Sequence, residues 1–258
     1  MTAVRQYLAL SRRAVMNIAR QPTAVVPALV FPLIFLALTS AAMNESIRLP
    51  RFPPVESFMQ FAVATTIVQG ALFGAIAAGS AMATDVQDGF FERLVASPVA
   101  RTSILVGRLA GAAVLGFVQA WVFLGVATVF GLTVEGGLPG MILISLVASV
   151  VAAGTGALMM AFGLRTGSAE AVQGAFPLLF IFLFFSSAFF PRPLMDGWFR
   201  TVAGINPLTP LIEGLRRQVI GGLDVGEFLS AMAVAAGIFV LGVAAAGLAL
   251  RARLRAAG

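Results

Sequence analysis

DVQDGFFERLVASPVARTSILVGR occupies residues 85–108 and is among the most charged stretches of the chain. Asp85, Asp88, Glu92, Arg93, Arg101 and Arg108 crowd around the paired Phe90 and Phe91, and long apolar runs flank the segment on both sides. A stretch suited to water therefore joins two that are not. The chain is 59% hydrophobic and 11% charged over 258 residues, with a mean hydropathy of +0.98. Soluble domains carry about 25% charged residues, so this chain has too few to cover a surface in water. Unbroken apolar runs of roughly 20 residues suit helices that cross a bilayer. A transmembrane barrel would show short alternating segments instead. The fold class is all-α integral membrane, in a single domain.

Absences exclude whole classes of chemistry. The chain has no histidine and no cysteine, which removes Ser-His and Cys-His nucleophiles, His- or Cys-ligated metals and disulfides. All 17 basic residues are arginine, so a phosphate-binding loop ending in Gly-Lys-Ser/Thr cannot form. If ATP drives anything here, another polypeptide binds it. The net charge of +6 comes from arginines that flank apolar runs. That distribution is a topology signal and not a nucleic-acid surface.

Six candidate spans lie at 23–43, 58–83, 104–131, 139–163, 172–190 and 226–250. With both termini on one side, that side carries Arg5, Arg12, Arg13, Arg20, Arg93, Arg101, Arg108, Arg165, Arg251, Arg253 and Arg255. The other side carries Arg48, Arg51, Arg192, Arg200, Arg216 and Arg217. The excess places both termini in the cytoplasm.

Three segments outside the spans carry patterns of their own. Over residues 1–22, Val4, Leu8, Ser11, Val15 and Ile18 fall on one helical face and the arginines on the other, the pattern of a helix lying in the membrane interface. A signal peptide is the alternative, but the apolar run that follows is long and further spans come after it. Over 85–98, a short helix starting near Asp85 to Asp88 and stopping near Ser97-Pro98 would present an aromatic anchor beside Glu92 and Arg93 to a partner protein. The phenylalanines folding back onto the bilayer is the other reading. Over 191–224, Pro191, Pro193 and Asn206-Pro207 break the chain into short pieces. They form either two re-entrant helices capping a cavity or a plain external loop. There, Glu213 and Arg217 are spaced to support each other on one helical face.

Polar groups inside the spans are few: Thr65, Thr66 and Gln69 in the second, Gln119 in the third and Gln173 in the fifth. Each either glues helices together or lines a path. No acidic residue lies in mid-span, which disfavours a proton-driven carrier.

The sequences DGFFERLVASPVARTSILVGR (88–108), FSSAFFPRPL (185–194) and INPLTPLIEGLRR (205–217) resemble the permease subunits of type-2 ABC exporters. The similarity is greatest to the branch that includes daunorubicin/doxorubicin-resistance permeases. The resemblance implies six spans, an N-terminal interface helix, a cytoplasmic coupling helix at 85–98 and re-entrant helices before the sixth span. It implies that Asp88, Gly89, Phe90, Phe91, Glu92, Arg93, Leu94, Ser97, Pro98 and Arg101 meet a separate ATPase subunit. That subunit would hold ATP and Mg, so this chain carries no cofactor. Asn206, Pro207, Glu213, Arg216 and Arg217 would shape the external segment. A second permease subunit would complete a path for an amphipathic drug, antibiotic or lipid-like substrate leaving through the plasma membrane. Relatives often open the coupling segment with E-x-E-x-G-T, where this chain has DVQDGF at 85–90. A channel or secondary carrier, and a membrane scaffold without transport, are the alternatives.

Overall fold

A computed structural model describes residues 22–96 and 101–256. The interface helix expected over 1–22 lies outside the described residues except for Pro22, as do Ser97 and Pro98. The described residues are helical, without strands. Five helices are long and apolar enough to cross a bilayer. They are α1 (Pro22–Met43), α2 (Phe58–Gln87), α4 (Arg101–Val129), α5 (Gly137–Thr166) and α10 (Val225–Ala256), with the short α3 (Phe90–Ala96) between α2 and α4.

The stretch expected to form the fifth span, 172–190, is not one continuous helix. It is α6 (Ala169–Gly174), then α7 (Phe176–Phe184), then six residues without regular helix. Pro177 causes the interruption: it has no N–H to give the Gln173 carbonyl, and its ring displaces the preceding turn. The chain adapts with a tight turn at Ala175, whose N–H donates to the Val172 carbonyl (3.1 Å). Hydropathy runs straight through this site, so an apolar count alone does not reveal the break. Two further short helices follow, α8 (Gly197–Ile205) and α9 (Leu208–Ile220).

α2 is the centre of the bundle. Over its most apolar stretch 78% of residues are buried, against 17% for α1 and 28% for α10. α5 packs beside it through glycines, which let backbones approach closely. A methyl group on Gly163 would stand 2.5 Å from the Gly79 carbonyl oxygen of α2, and one on Gly154 would stand 2.7 Å from the Phe239 nitrogen of α10.

Each end of the bundle is tied differently. At one end, Gln60 donates to the Thr133 carbonyl and hydroxyl (3.2 Å each), and the Glu135 N–H reaches the Val219 carbonyl (2.9 Å). At the other, Met82, Val86, Phe91, Leu105, Leu109, Leu164 and Leu250 form a compact apolar cluster. That cluster holds α3 in place.

Candidate functional site

The opening segment folds differently from its sequence expectation. Asp85 does not begin a new helix; it belongs to the last turn of α2, which runs on to Gln87. The stop is set by Gly89, whose φ of 65° lies in the left-handed region that glycine enters without a Cβ clash. The Asp88 N–H closes the helix on the Thr84 carbonyl (2.9 Å). Arg93 then wraps the break, donating from Nε to the Gly89 carbonyl (3.2 Å) and from a terminal nitrogen to the Asp88 carbonyl (3.4 Å). α3 begins only at Phe90.

Phe91 is not an exposed anchor. It is 3% exposed and packs inside the chain's own apolar cluster, so it positions α3 against α2 and α4. Phe90 and Leu94 are half-buried, and the side chains of Glu92 and Arg101 lie outside those described. Asp85 forms an ion pair with Arg108, joining the end of α2 to the start of α4 on either side of α3. Its two side chains are three-quarters buried.

The second segment brings two expected residues, Asn206 and Arg216, to one feature, the unwound stretch after α7. Asn206 donates from Nδ2 to the Phe182 (2.6 Å) and Phe185 (2.8 Å) carbonyls. Its Oδ1 accepts from the Leu208 N–H (2.8 Å). One side chain therefore satisfies orphan carbonyls at the end of α7 and caps the start of α9.

Arg216 reaches the same stretch from α9. It donates to the Ser187 (3.0 Å) and Ala188 (3.3 Å) carbonyls and from Nε to the Phe61 carbonyl of α2 (2.9 Å). Its guanidinium lies over the Phe61 ring. Thr65 adds a bond to the Ala188 carbonyl (2.8 Å), and the Ser187 N–H donates to Thr209 (3.2 Å). The kink is thus held by side chains from α2 and α9. Phe185 also touches Trp198 and Phe199 of α8, ring centroids 6.1 Å away in each case.

The expected Glu213–Arg217 pair does not form. Glu213 is held by both Nε and a terminal nitrogen of Arg192 (2.8 and 2.6 Å), while Arg217 is exposed. A planar guanidinium approaching from outside the helix matches the carboxylate in a way that a neighbour one turn along does not. Pro207 precedes α9 directly.

Of the polar residues expected in the spans, Thr66 bonds within its own helix to the Ala62 carbonyl (3.3 Å). Gln119 joins α4 to α1 through the Ala28 carbonyl (3.3 Å). Gln173 is exposed on α6 and lines nothing inside the described chain. Gln69 is fully buried.

Sequence reasoning missed a run of aromatic rings. Phe31 and Phe35 of α1, Phe73 of α2, Phe176, Phe180 and Phe184 of α7, and Phe189 beyond it touch in succession. Representative centroid distances are 5.1 Å for Phe31–Phe73 and 4.5 Å for Phe176–Phe180, with Phe35–Phe189 at 5.6 Å and Phe184–Phe189 at 5.1 Å. The signal was available: Phe31/Phe35 and Phe176/Phe180/Phe184 repeat every four residues, the spacing that stacks side chains on one helical face.

Known proteins share this sequence pattern. The chain is 27% identical over 241 residues to the daunorubicin resistance ABC transporter permease protein DrrB1 of Streptomyces coeruleorubidus, across 92% of this chain and 83% of that one. It is 26% identical over 239 residues to the probable doxorubicin resistance ABC transporter permease protein DrrC of Mycobacterium tuberculosis, across 92% and 85%. It is 26% identical over 216 residues to the putative transport permease ycf38 of Porphyra purpurea, across 83% and 73%. The family described as ABC-2 type transporter matches residues 5–219, which include α3, the kink after α7, all of α8, and all but the last residue of α9. The chain belongs to the ABC-2 type transporter family.

Proposed function

We propose that this chain is the membrane permease subunit of an ATP-driven exporter, with ATP and Mg bound on a separate ATPase subunit. The family match over residues 5–219 carries this reading. The absence of any lysine agrees with it, since the chain cannot build a lysine-bearing phosphate loop. In this arrangement α6, α7 and residues 185–190 together make a sixth, interrupted crossing, and α8 and α9 are re-entrant from the external side. Both termini are cytoplasmic in the plasma membrane. α3 sits on the cytoplasmic side, where the ATPase docks on it and on Asp88, Arg93 and Arg101. A second permease subunit completes the path. The substrate is an amphipathic drug, antibiotic or lipid-like molecule, because the groups available to a path are phenylalanines, aliphatics and a few amides. The similarity to proteins named for daunorubicin and doxorubicin resistance supports the same class.

The test is reconstitution of the chain with its ATPase in proteoliposomes loaded with an amphipathic fluorescent drug. ATP-dependent efflux is expected, and efflux equal with and without ATP would rule the reading out.

A further inference from the structure

Gln69 of α2 is fully buried, and neither atom of its amide has a hydrogen-bond partner among the described residues. An amide taken out of water and left unpaired opposes folding, and native proteins rarely tolerate it without a compensating use. Gln60 and Thr65 of the same helix satisfy theirs, while the Ser80 hydroxyl is left unpaired as the Gln69 amide is. Gln60 makes two donor bonds to Thr133 and accepts from the Glu56 N–H (3.0 Å). Thr65 reaches Ala188.

The position of Gln69 says what it faces. Residues four apart share one face of a helix, so Thr65, Gln69 and Phe73 form a single stripe. Thr65 bonds the unwound stretch after α7, and Phe73 lies against Phe176 (4.9 Å) and Phe180 (5.8 Å) of α7 itself. Helical spacing puts Gln69 between them, on the face of α2 turned toward α7 and toward Phe31 of α1, whose ring lies 5.1 Å from Phe73. α7 is only nine residues long, is interrupted at both ends, and exposes Leu178, Ile181, Phe182 and Phe184. It meets α2 through aromatic side chains, whereas α5 meets α2 backbone to backbone at Gly79 and Gly163.

We infer that α7 parts from α2 during the transport cycle and that the Gln69 amide becomes part of the hydrated wall of the opening. The described conformation is then the closed one, in which the amide is stranded. In the open one it is solvated, and the stranded amide lowers the free-energy gap between the two. A ligand or nucleotide step can move such an equilibrium only where the gap is small. The inference rests on the exporter reading above.

The test uses the permease–ATPase complex in proteoliposomes, with labelling read on the permease chain, which has no native cysteine. Gln69→Cys should react with a small charged thiol reagent at least tenfold faster during ATP turnover than without nucleotide. Phe73→Cys, one turn along the same stripe, reads the same opening if Gln69→Cys does not assemble. Gln69→Met keeps a long unbranched side chain and needs no partner. It should melt at a higher temperature and export at least fivefold more slowly. Loss of ATP-dependent efflux from the unsubstituted complex would sink the exporter reading. If that complex pumps, equal reactivity in both conditions, or Gln69→Met pumping at the unsubstituted rate, overturns this inference alone.

Discussion

Arg216 holds its guanidinium 3.6 Å from the centre of the Phe61 ring while donating from Nε to the carbonyl of the same residue (2.9 Å). The side chain of one helix thus grips both the ring and the backbone of another. It is 5% exposed, and its other bonds go to the carbonyls of the kink after α7. Arg216→Ala should destabilise the chain by about 2 kcal/mol or more, because hydrogen bonds from a charged donor contribute about 1.5–3 kcal/mol each. Arg216→Lys should recover little, since an ammonium does not reproduce the planar fork. Thermal melts in detergent, read beside efflux, check both.

Asn206 separates into two roles by substitution. Asn206→Ser keeps an oxygen able to cap α9 but loses the donors that reach Phe182 and Phe185. Asn206→Ala loses both. The alanine variant should be less stable than the serine variant by about 0.5–2 kcal/mol, the usual value of an N-cap. Equal melting of the two would mean that the cap contributes nothing. Both should export poorly because the end of α7 is released.

The Arg192–Glu213 pair is bidentate but partly exposed, with side-chain exposures of 48% and 25%. Exposed pairs contribute roughly 0.2–1 kcal/mol. A double-mutant cycle with Arg192→Gln and Glu213→Gln should return a coupling in that range, falling as salt is raised. Arg217→Ala should leave stability unchanged. A coupling between Glu213 and Arg217 larger than that with Arg192 would contradict the structure.

Phe91 belongs to the interior. Phe91→Ala should cost about 3–5 kcal/mol, as expected for removing a buried ring, and Phe91→Leu distinctly less. The yield and melting temperature of the permease alone should fall before any loss of ATPase association. An alanine variant that melts normally yet fails to bind the ATPase would restore the exposed-anchor reading.

The long spans were legible because nothing but a helix hides its backbone over such apolar lengths. The positions of the interruptions were only partly legible. Asp85 and Asp88 looked like a helix start, but Gly89 decides the boundary, and a left-handed glycine outweighs nearby charge. Pro177 was hidden inside a run of phenylalanines and leucines. Asn206 and Arg216 were marked by the family resemblance, yet their partners were not, because carbonyls carry no sequence signature. Glu213 found Arg192, 21 residues away, through a chain reversal that no helical spacing encodes.

The glycine contacts of α5 have a mechanical consequence. α2, α4 and α10 each meet this helix with backbone or Cβ atoms so close that a methyl at Gly163, Gly116 or Gly154 would collide. Helices seated main chain against main chain cannot slide without first separating, so these four form a stiff mast. α7 rests on that mast through phenylalanine rings, which rotate and re-stack at small cost, whereas α1 is also tied to α4 by the Gln119–Ala28 bond. The parting inferred for α7 would therefore run against this mast on aromatic bearings, with Asn206 and Arg216 as the pins at one end of its hinge.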